Sequence, residues 1–302
     1  MKIILYEPGH HKNLHAIKMM CKSMLIDLEI TTNYDRVLIN DYDILIANST
    51  YIPPEKIPEN IKIIYGPQHW VFPKGSIVGK LNTEYSKRCV YNCLSEWIIN
   101  LYLEMVPSLK VPLVSFPFAV DTDFFKPDTT QEKIIDCIIY VKRREIHTIN
   151  TVLSILNSKG LSYSIFTYGQ YSENDYIKTL HKSKFMISID AHESQGFALE
   201  EAMSMNVPLL VLDARSMYYE KGDGVNSTYE YLKPKNLFCT SVPYWSDECG
   251  IKIIDTDNQT ISTSIDTMVL NYKNYNPRQY ILDTLSPEVC MKRILNYFYP
   301  VV

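Results

Sequence analysis

The stretch Phe185–Asp213, FMISIDAHESQGFALEEAMSMNVPLLVLD, decides the reading of this chain. It opens on a continuous apolar run, FMISID, and closes on another, VPLLVLD, each too short for a helix and bounded by polar or turn residues. The segment between them, FALEEAMSM, has helical composition and follows Gly196. Strand, turn, helix and strand in that order make a crossover unit, which joins neighbouring parallel strands. The predicted strand ends near Asp190, Glu193 lies on the loop, Gly196 permits the tight turn, and the helix starts near Phe197. Helix N-termini leave backbone N–H groups without intrahelical partners, which favours an anion there. Glu193 and Glu201 then stand at the two ends of the segment, placed to hold hydroxyl groups at either end of one ligand, although acidic residues in a first turn, Glu200 included, also complement the helix dipole.

The same rhythm runs outward in both directions. Upstream lie KIILY followed by HAIKMMCKSMLIDLE, read as one helix, then DILIA, IKIIYG, RCVYNCL with SEWIINLYLEM, and VPLVSF. Residues 116–133, FPFAVDTDFFKPDTTQEK, support neither period and form the junction. Beyond it come IIDCIIYV with HTINTVLSILNSKG, SYSIFTYG with ENDYIKTLHKS, and the opening stretch. We expect an α/β protein with two Rossmann-like, doubly wound parallel-sheet domains. The boundaries are 1–118, a linker at 119–133, 134–285, and a final helix at 286–302 with Ser286 as N-cap and Pro287 at its first position. The long tyrosine-rich connection after Asp213 reads as an ordered binding loop, and its Thr240–Trp245 segment could stack on a base or sugar ring, or pack on its own domain.

Composition narrows the function classes. With 302 residues, 46% hydrophobic and 21% charged, the chain can build two cores, and a formal charge of -4 gives no broad basic surface for nucleic acid. Seven scattered cysteines form no CxxC pair, and adjacent His10 and His11 lack metal-helix spacing, so reduced thiols and no metal are expected. The first strand is too short for a signal h-region and no run is long enough to span a bilayer, so the expectation is a cytoplasmic protein without a transmembrane segment, in which three Asn-x-Thr sequons stay unmodified.

The pattern Glu193-x7-Glu201, with Gly196 three after the first Glu and a Val-Pro before an apolar strand, resembles the donor site of retaining GT-B glycosyltransferases of the glycogen-synthase-like and mannosyltransferase-like group, glycosyltransferase family four. Ala119–Pro127, AVDTDFFKP, is similar to its interdomain GVDTxxFxP segment, and Cys93–Trp97, CLSEW, Tyr168-Gly169 and Cys249–Ile251 fall in the same order. The resemblance covers about residues 90–300 and implies a C-terminal donor domain facing an acceptor-side N-terminal domain across a cleft, with the last helix crossing back.

It further implies that Glu193 contacts the transferred sugar and Glu201 the ribose, with Ser194, Gln195, Gly196, Phe197 and Ala198 lining sugar and phosphates and Gly169 and Gly9 in nearby loops. In that group an Arg and a later Lys neutralise the diphosphate. Here Lys142, Arg143 and Arg144 follow the strand IIYV without the group's glycine, and a cationic cluster at a strand's carboxyl end suits an anion. His69, after the strand IKIIYG, stands where the group often has a histidine near the sugar. The implied partners are a nucleoside-diphosphate sugar and a glycan or other hydroxyl acceptor, with no cofactor and no metal. A binding protein without transfer and a nucleotide-sugar epimerase are the alternatives.

Overall fold

The computed structural model describes residues 1–67, 80–81, 87–219, 236–254 and 256–300. The chain divides into two compact units, Met1–Asp121 with Leu285–Val302, and Thr122–Thr284.

The first unit is built on six parallel strands, β1 (Lys2–Tyr6), β2 (Asp27–Thr31), β3 (Ile44–Ala47), β4 (Lys62–Tyr65), β5 (Cys89–Asn92) and β6 (Leu113–Val114), in the order β2-β1-β3-β4-β5-β6. The central strands are buried along nearly their whole length, as expected of a sheet covered on both faces. Helix α1 (His11–Ser23) returns the chain from β1 to β2 and buries Ala16, Ile17, Met20 and Cys21. Helices α2 (Tyr34–Val37) and α3 (Glu96–Met105) follow β2 and β5.

The stretch HAIKMMCKSMLIDLE is a helix only in its first part. α1 starts earlier, at His11, and stops at Ser23; Leu25 takes a positive φ of 53°, and Asp27–Thr31 continues as β2. The helical period of Leu25, Ile26 and Leu28 is misleading because β2 lies at the sheet edge, where none of its residues is fully buried. There Glu29 accepts a two-pronged pair from Arg36 at 2.6 and 2.7 Å and a hydrogen bond from Tyr42 at 2.7 Å, a use for a polar side chain that helical spacing cannot foresee.

The second unit holds β7 (Ile135–Lys142), β8 (Tyr163–Thr167), β9 (Ser183–Asp190), β10 (Leu209–Leu212) and β11 (Gly250–Ile253), all parallel in the order β11-β10-β9-β7-β8. Helices α4 (Ile146–Ser158), α5 (Glu173–Lys182), α6 (Phe197–Ser204), α7 (Asn258–Asn271) and α8 (Pro277–Leu285) complete it, and Val152, Leu156, Ile261, Ile265 and Met268 close its core over β7, β9 and β10. Arg278 on α8 ties this unit's first residues down, donating to the carbonyls of Thr122, Phe125 and Ser204 at 3.1, 3.1 and 2.6 Å. The last helix, α9 (Pro287–Phe298), belongs to the first unit, packs against α1 and buries Cys290, Met291 and Ile294.

In the second sheet the strand order reverses between β7 and β9. That is a topological switch point, and a crevice opens outside the carboxyl ends of such strands because the helices leave in opposite directions.

Candidate functional site

Register brings the key residues together. Lys142 ends β7, Asp190 ends β9, and the two are direct partners across the switch point. Asp190 is fully buried, Lys142 and Glu193 are each 8% exposed, and Lys142 Nζ lies 2.5 Å from Glu193 Oε1 and 3.9 Å from Asp190 Oδ2. The ring of Tyr168, from the loop after β8, faces the same ammonium with its centroid 4.4 Å away.

The two arginines serve different ends. Arg144 is buried, and its Nη1 donates to the carbonyls of Asp190 at 2.8 Å and Leu212 at 3.3 Å, fastening the ends of β9 and β10. Arg143, half-buried and at a positive φ of 49°, donates to the carbonyl of His192 at 3.2 Å and so grips the loop that carries Glu193. The backbone N–H of Glu193 donates to the Thr240 carbonyl at 3.0 Å. That second loop is held in turn by buried Asp213 at the end of β10, whose Oδ1 accepts from Thr240 Oγ1, Ser241 N and Ser241 Oγ at 2.9, 2.8 and 3.0 Å.

Helix α6 opens behind this loop. Gly196 stands before it in the left-handed region at φ 98°, ψ 49°, and its carbonyl accepts from Leu199 N and Glu200 N at 3.0 and 3.1 Å. Gln195 donates to Glu200 at 2.9 Å, so Glu200 braces the turn. Glu201 is buried further along the same helix, and Ser194 and Phe197 are half-buried at the turn. Ala198 receives the Tyr176 hydroxyl on its carbonyl at 2.6 Å, which ties α5 to α6. Tyr140, Phe166, Tyr171 and Tyr176 form an edge-to-face cluster beneath, in which burial and nearby Glu201 push the Tyr171 hydroxyl up to about 12.

The electrostatics follow from two carboxylates sharing one lysine. Burial pushes Asp190 well above the usual carboxylate range; Lys142 opposes this and Glu193 adds to it. For Glu193 burial is outweighed by Lys142, by a hydrogen bond with Asp190 and by Arg143, and its pKa falls below the ordinary value. Burial lowers Lys142, but the two carboxyl groups outweigh it and hold the ammonium charged. The two carboxyl groups are thus pushed in opposite directions, Asp190 up and Glu193 down, around one lysine.

Of the other candidates, Gly169 is exposed at φ 75° in the loop that carries Tyr168. Gly9 belongs to the first unit, where it follows β1 at φ 67° and a Cβ would meet Ser49 Oγ at 2.8 Å. His69 lies outside the described residues. Asp190, Asp213 and Tyr168 are additions from the structure; the signal for the two aspartates is a carboxylate closing an otherwise apolar strand, in FMISID and VPLLVLD. Among the described residues no group of three or more His, Cys, Asp and Glu could hold a metal ion, and no helix is long and apolar enough to cross a membrane.

Similar structures carry the same architecture from end to end. A sucrose-phosphate synthase from Thermosynechococcus elongatus matches 99% of this chain over 98% of its own, with a TM-score of 0.60 at 9% identity. The Anabaena protein HepE, in complex with UDP and glucose, matches over 100% of both chains with a TM-score of 0.58 at 11% identity. The fold is GT-B. TarM of S. aureus shares the GT-B likeness over 85% of this chain and 54% of its own, with a TM-score of 0.53 at 14% identity. No protein-family model and no curated protein sequence matches the chain.

Proposed function

We propose that the protein is a glycosyltransferase that moves a sugar from a nucleoside-diphosphate sugar to a hydroxyl acceptor, with retention of configuration and without a metal. The observation that carries this reading is the switch-point site, where a buried lysine meets the first carboxylate of Glu193-x7-Glu201 beside the N-terminus of α6. HepE, which shares the fold, is described in complex with UDP and glucose, a nucleoside diphosphate and a sugar of the kinds this site would hold.

In this reading Glu193 meets the transferred sugar, Glu201 the ribose, and Gly196 with the start of α6 the diphosphate. The acceptor oxygen forms a bond to the anomeric carbon on the face from which the diphosphate oxygen departs, and the acceptor proton passes to that departing oxygen. Lys142, Arg143 and the α6 N–H groups stabilise the charge that builds on the leaving group, an electrostatic role that needs no bound metal. The acceptor falls to the first unit.

The test is turnover of UDP-, GDP- and ADP-sugars with an acceptor panel in EDTA, with product configuration read by proton NMR. We expect transfer with retention, and Glu193→Ala to lower kcat by about 100- to 1000-fold, the scale of losing one preorganised charged contact. Full activity in folded Glu193→Ala and Glu201→Ala variants would sink the reading; an inverted product or loss in EDTA would sink its retaining or metal-free part.

One observation favours a second reading, a sugar-nucleotide-binding protein without transfer. Lys142 is already paired with Glu193, and Arg144 is committed to backbone carbonyls. Calorimetric binding of a nucleoside diphosphate with no turnover of any donor would select it. An epimerase would instead release an altered sugar nucleotide with no acceptor present.

A further inference from the structure

Lys142 holds the side chain of Glu193, but its backbone is held from another loop. Strand β10 leads into Asp213, whose side chain is fully buried at the carboxyl edge of the sheet, on the strand next to β9. The chain leaving β10 pairs with the chain that returns: Met217 N donates to the Leu237 carbonyl at 2.8 Å and Cys239 N to the Arg215 carbonyl at 3.4 Å. That pairing brings Thr240 and Ser241 back to Asp213, where Oδ1 accepts from Thr240 Oγ1, Ser241 N and Ser241 Oγ at 2.9, 2.8 and 3.0 Å.

The Ser241 N–H and the Thr240 carbonyl are two ends of one planar amide, and in a trans peptide they point in opposite directions. The N–H is aimed at Asp213, so the carbonyl is aimed the other way, and there it accepts the backbone N–H of Glu193 at 3.0 Å. Hydrogen bonds in such a chain polarise one another, so the carboxylate at one end strengthens the bond to Glu193 at the other. Cys239 Sγ adds a contact to the Ala191 carbonyl at 3.5 Å, two residues before Glu193.

We propose that Asp213 is a positioning residue of the donor site: it orients the Thr240–Ser241 peptide and, through that peptide's carbonyl, fixes the backbone from which Glu193 reaches the transferred sugar. The proposal rests on the donor-site reading above. Three donors converging on one oxygen call for an acceptor that carries no proton of its own, which an ionised carboxylate supplies with bonds stronger than neutral ones. Its second oxygen lies 3.1 Å from Arg215 Nε, so the charge is countered from the same loop. Removing the carboxylate takes the acceptor from all three donors and frees the peptide plane to turn.

The test pairs a kinetic cycle with a local structural readout. Turnover of UDP-, GDP- and ADP-sugars is measured for wild type, Asp213→Ala, Glu193→Ala and the double variant, and amide exchange is followed by NMR; Asp213→Ser takes the place of Asp213→Ala if that variant does not fold. We expect Asp213→Ala to lower kcat by about 100-fold, the scale of a misplacement of about 1 Å, with a far smaller change in donor KM. In the Glu193→Ala background the same substitution adds little further loss, because residues that act as a unit are not additive. Asp213→Asn, which keeps an acceptor oxygen, recovers most of the activity. The Glu193 amide exchanges faster in Asp213→Ala, while amides of β7 and β9 stay as protected as in wild type. An equal fold-loss in both backgrounds overturns the proposal, since Asp213 would then act other than through Glu193, and so does an unchanged Glu193 amide or full activity in folded Asp213→Ala. A wild-type protein that turns over none of the donors overturns the donor-site reading and the role of Asp213 in it, even where the Glu193 amide responds to Asp213.

Discussion

Lys142 stands where three of the chain's physical demands meet. Its ammonium is 8% exposed and remains charged because Glu193 and Asp190 lie beside it, so removing it strands a buried carboxylate rather than subtracting one contact. We expect Lys142→Met to destabilise the second unit by about 3–5 kcal/mol at neutral pH, the cost of breaking one side of a buried ion pair. The pH dependence has a definite sign. Without the lysine both carboxyl groups have folded pKa values above their unfolded ones, so the native state binds more protons than the unfolded state across that window. The variant is then nearest to wild type in mild acid and loses ground as pH rises. Urea midpoints of both proteins from about pH 5 to 8 read this directly; a deficit that does not grow with pH would show that Lys142 does not neutralise the pair.

At the scale of elements, glycines show how much of the fold is local chemistry and how much is packing. Gly250 starts β11 at φ 135°, and a Cβ there would sit 2.0 Å from the Leu209 carbonyl oxygen on the neighbouring strand. Gly169 also has a positive φ, 75°, but a Cβ would meet nothing within 4 Å. Gly169→Ala should therefore cost about 1–2 kcal/mol, the left-handed penalty alone, whereas Gly250→Ala should cost about 3 kcal/mol or more and loosen β10 from β11. Chemical denaturation of the two variants checks the ranking, and equal costs would mean that the approach of β10 to β11 does not constrain Gly250. The sequence exposes such elements unevenly. Most of the central strands could be read from their apolar runs because both faces of the sheet are covered. β2 could not, since an edge strand that places Asp27 and Glu29 among its apolar residues carries no such run. The Glu193 loop and α6 were legible as turn and helix; the meeting of Lys142 with Asp190 and Glu193 was not, because it depends on the register of β7 against β9.

The whole molecule is two cores made from one chain that crosses between them twice, since Leu285–Val302 rejoins the unit begun by Met1–Asp121. Within that first unit α9 covers α1, and Met291 and Ile294 line a small apolar cavity with Ile17, Met20, Ile46 and Phe116. Burial of Cys290, Met291 and Ile294 makes this helix a part of the core, with each fully buried apolar side chain contributing about 1.5–3 kcal/mol. Tyr299 adds a hydrogen bond to the Asp43 carbonyl at 3.4 Å, beside β3. Removal of residues 286–302 should therefore weaken the unit farthest away in sequence. Hydrogen exchange followed by mass spectrometry should show faster exchange in β1, β3 and α1, with β7, β9 and the core around α7 protected as in the intact chain. Faster exchange confined to β7 and β9 would instead assign the last helix to the second unit, and unchanged exchange everywhere would make it dispensable to either core.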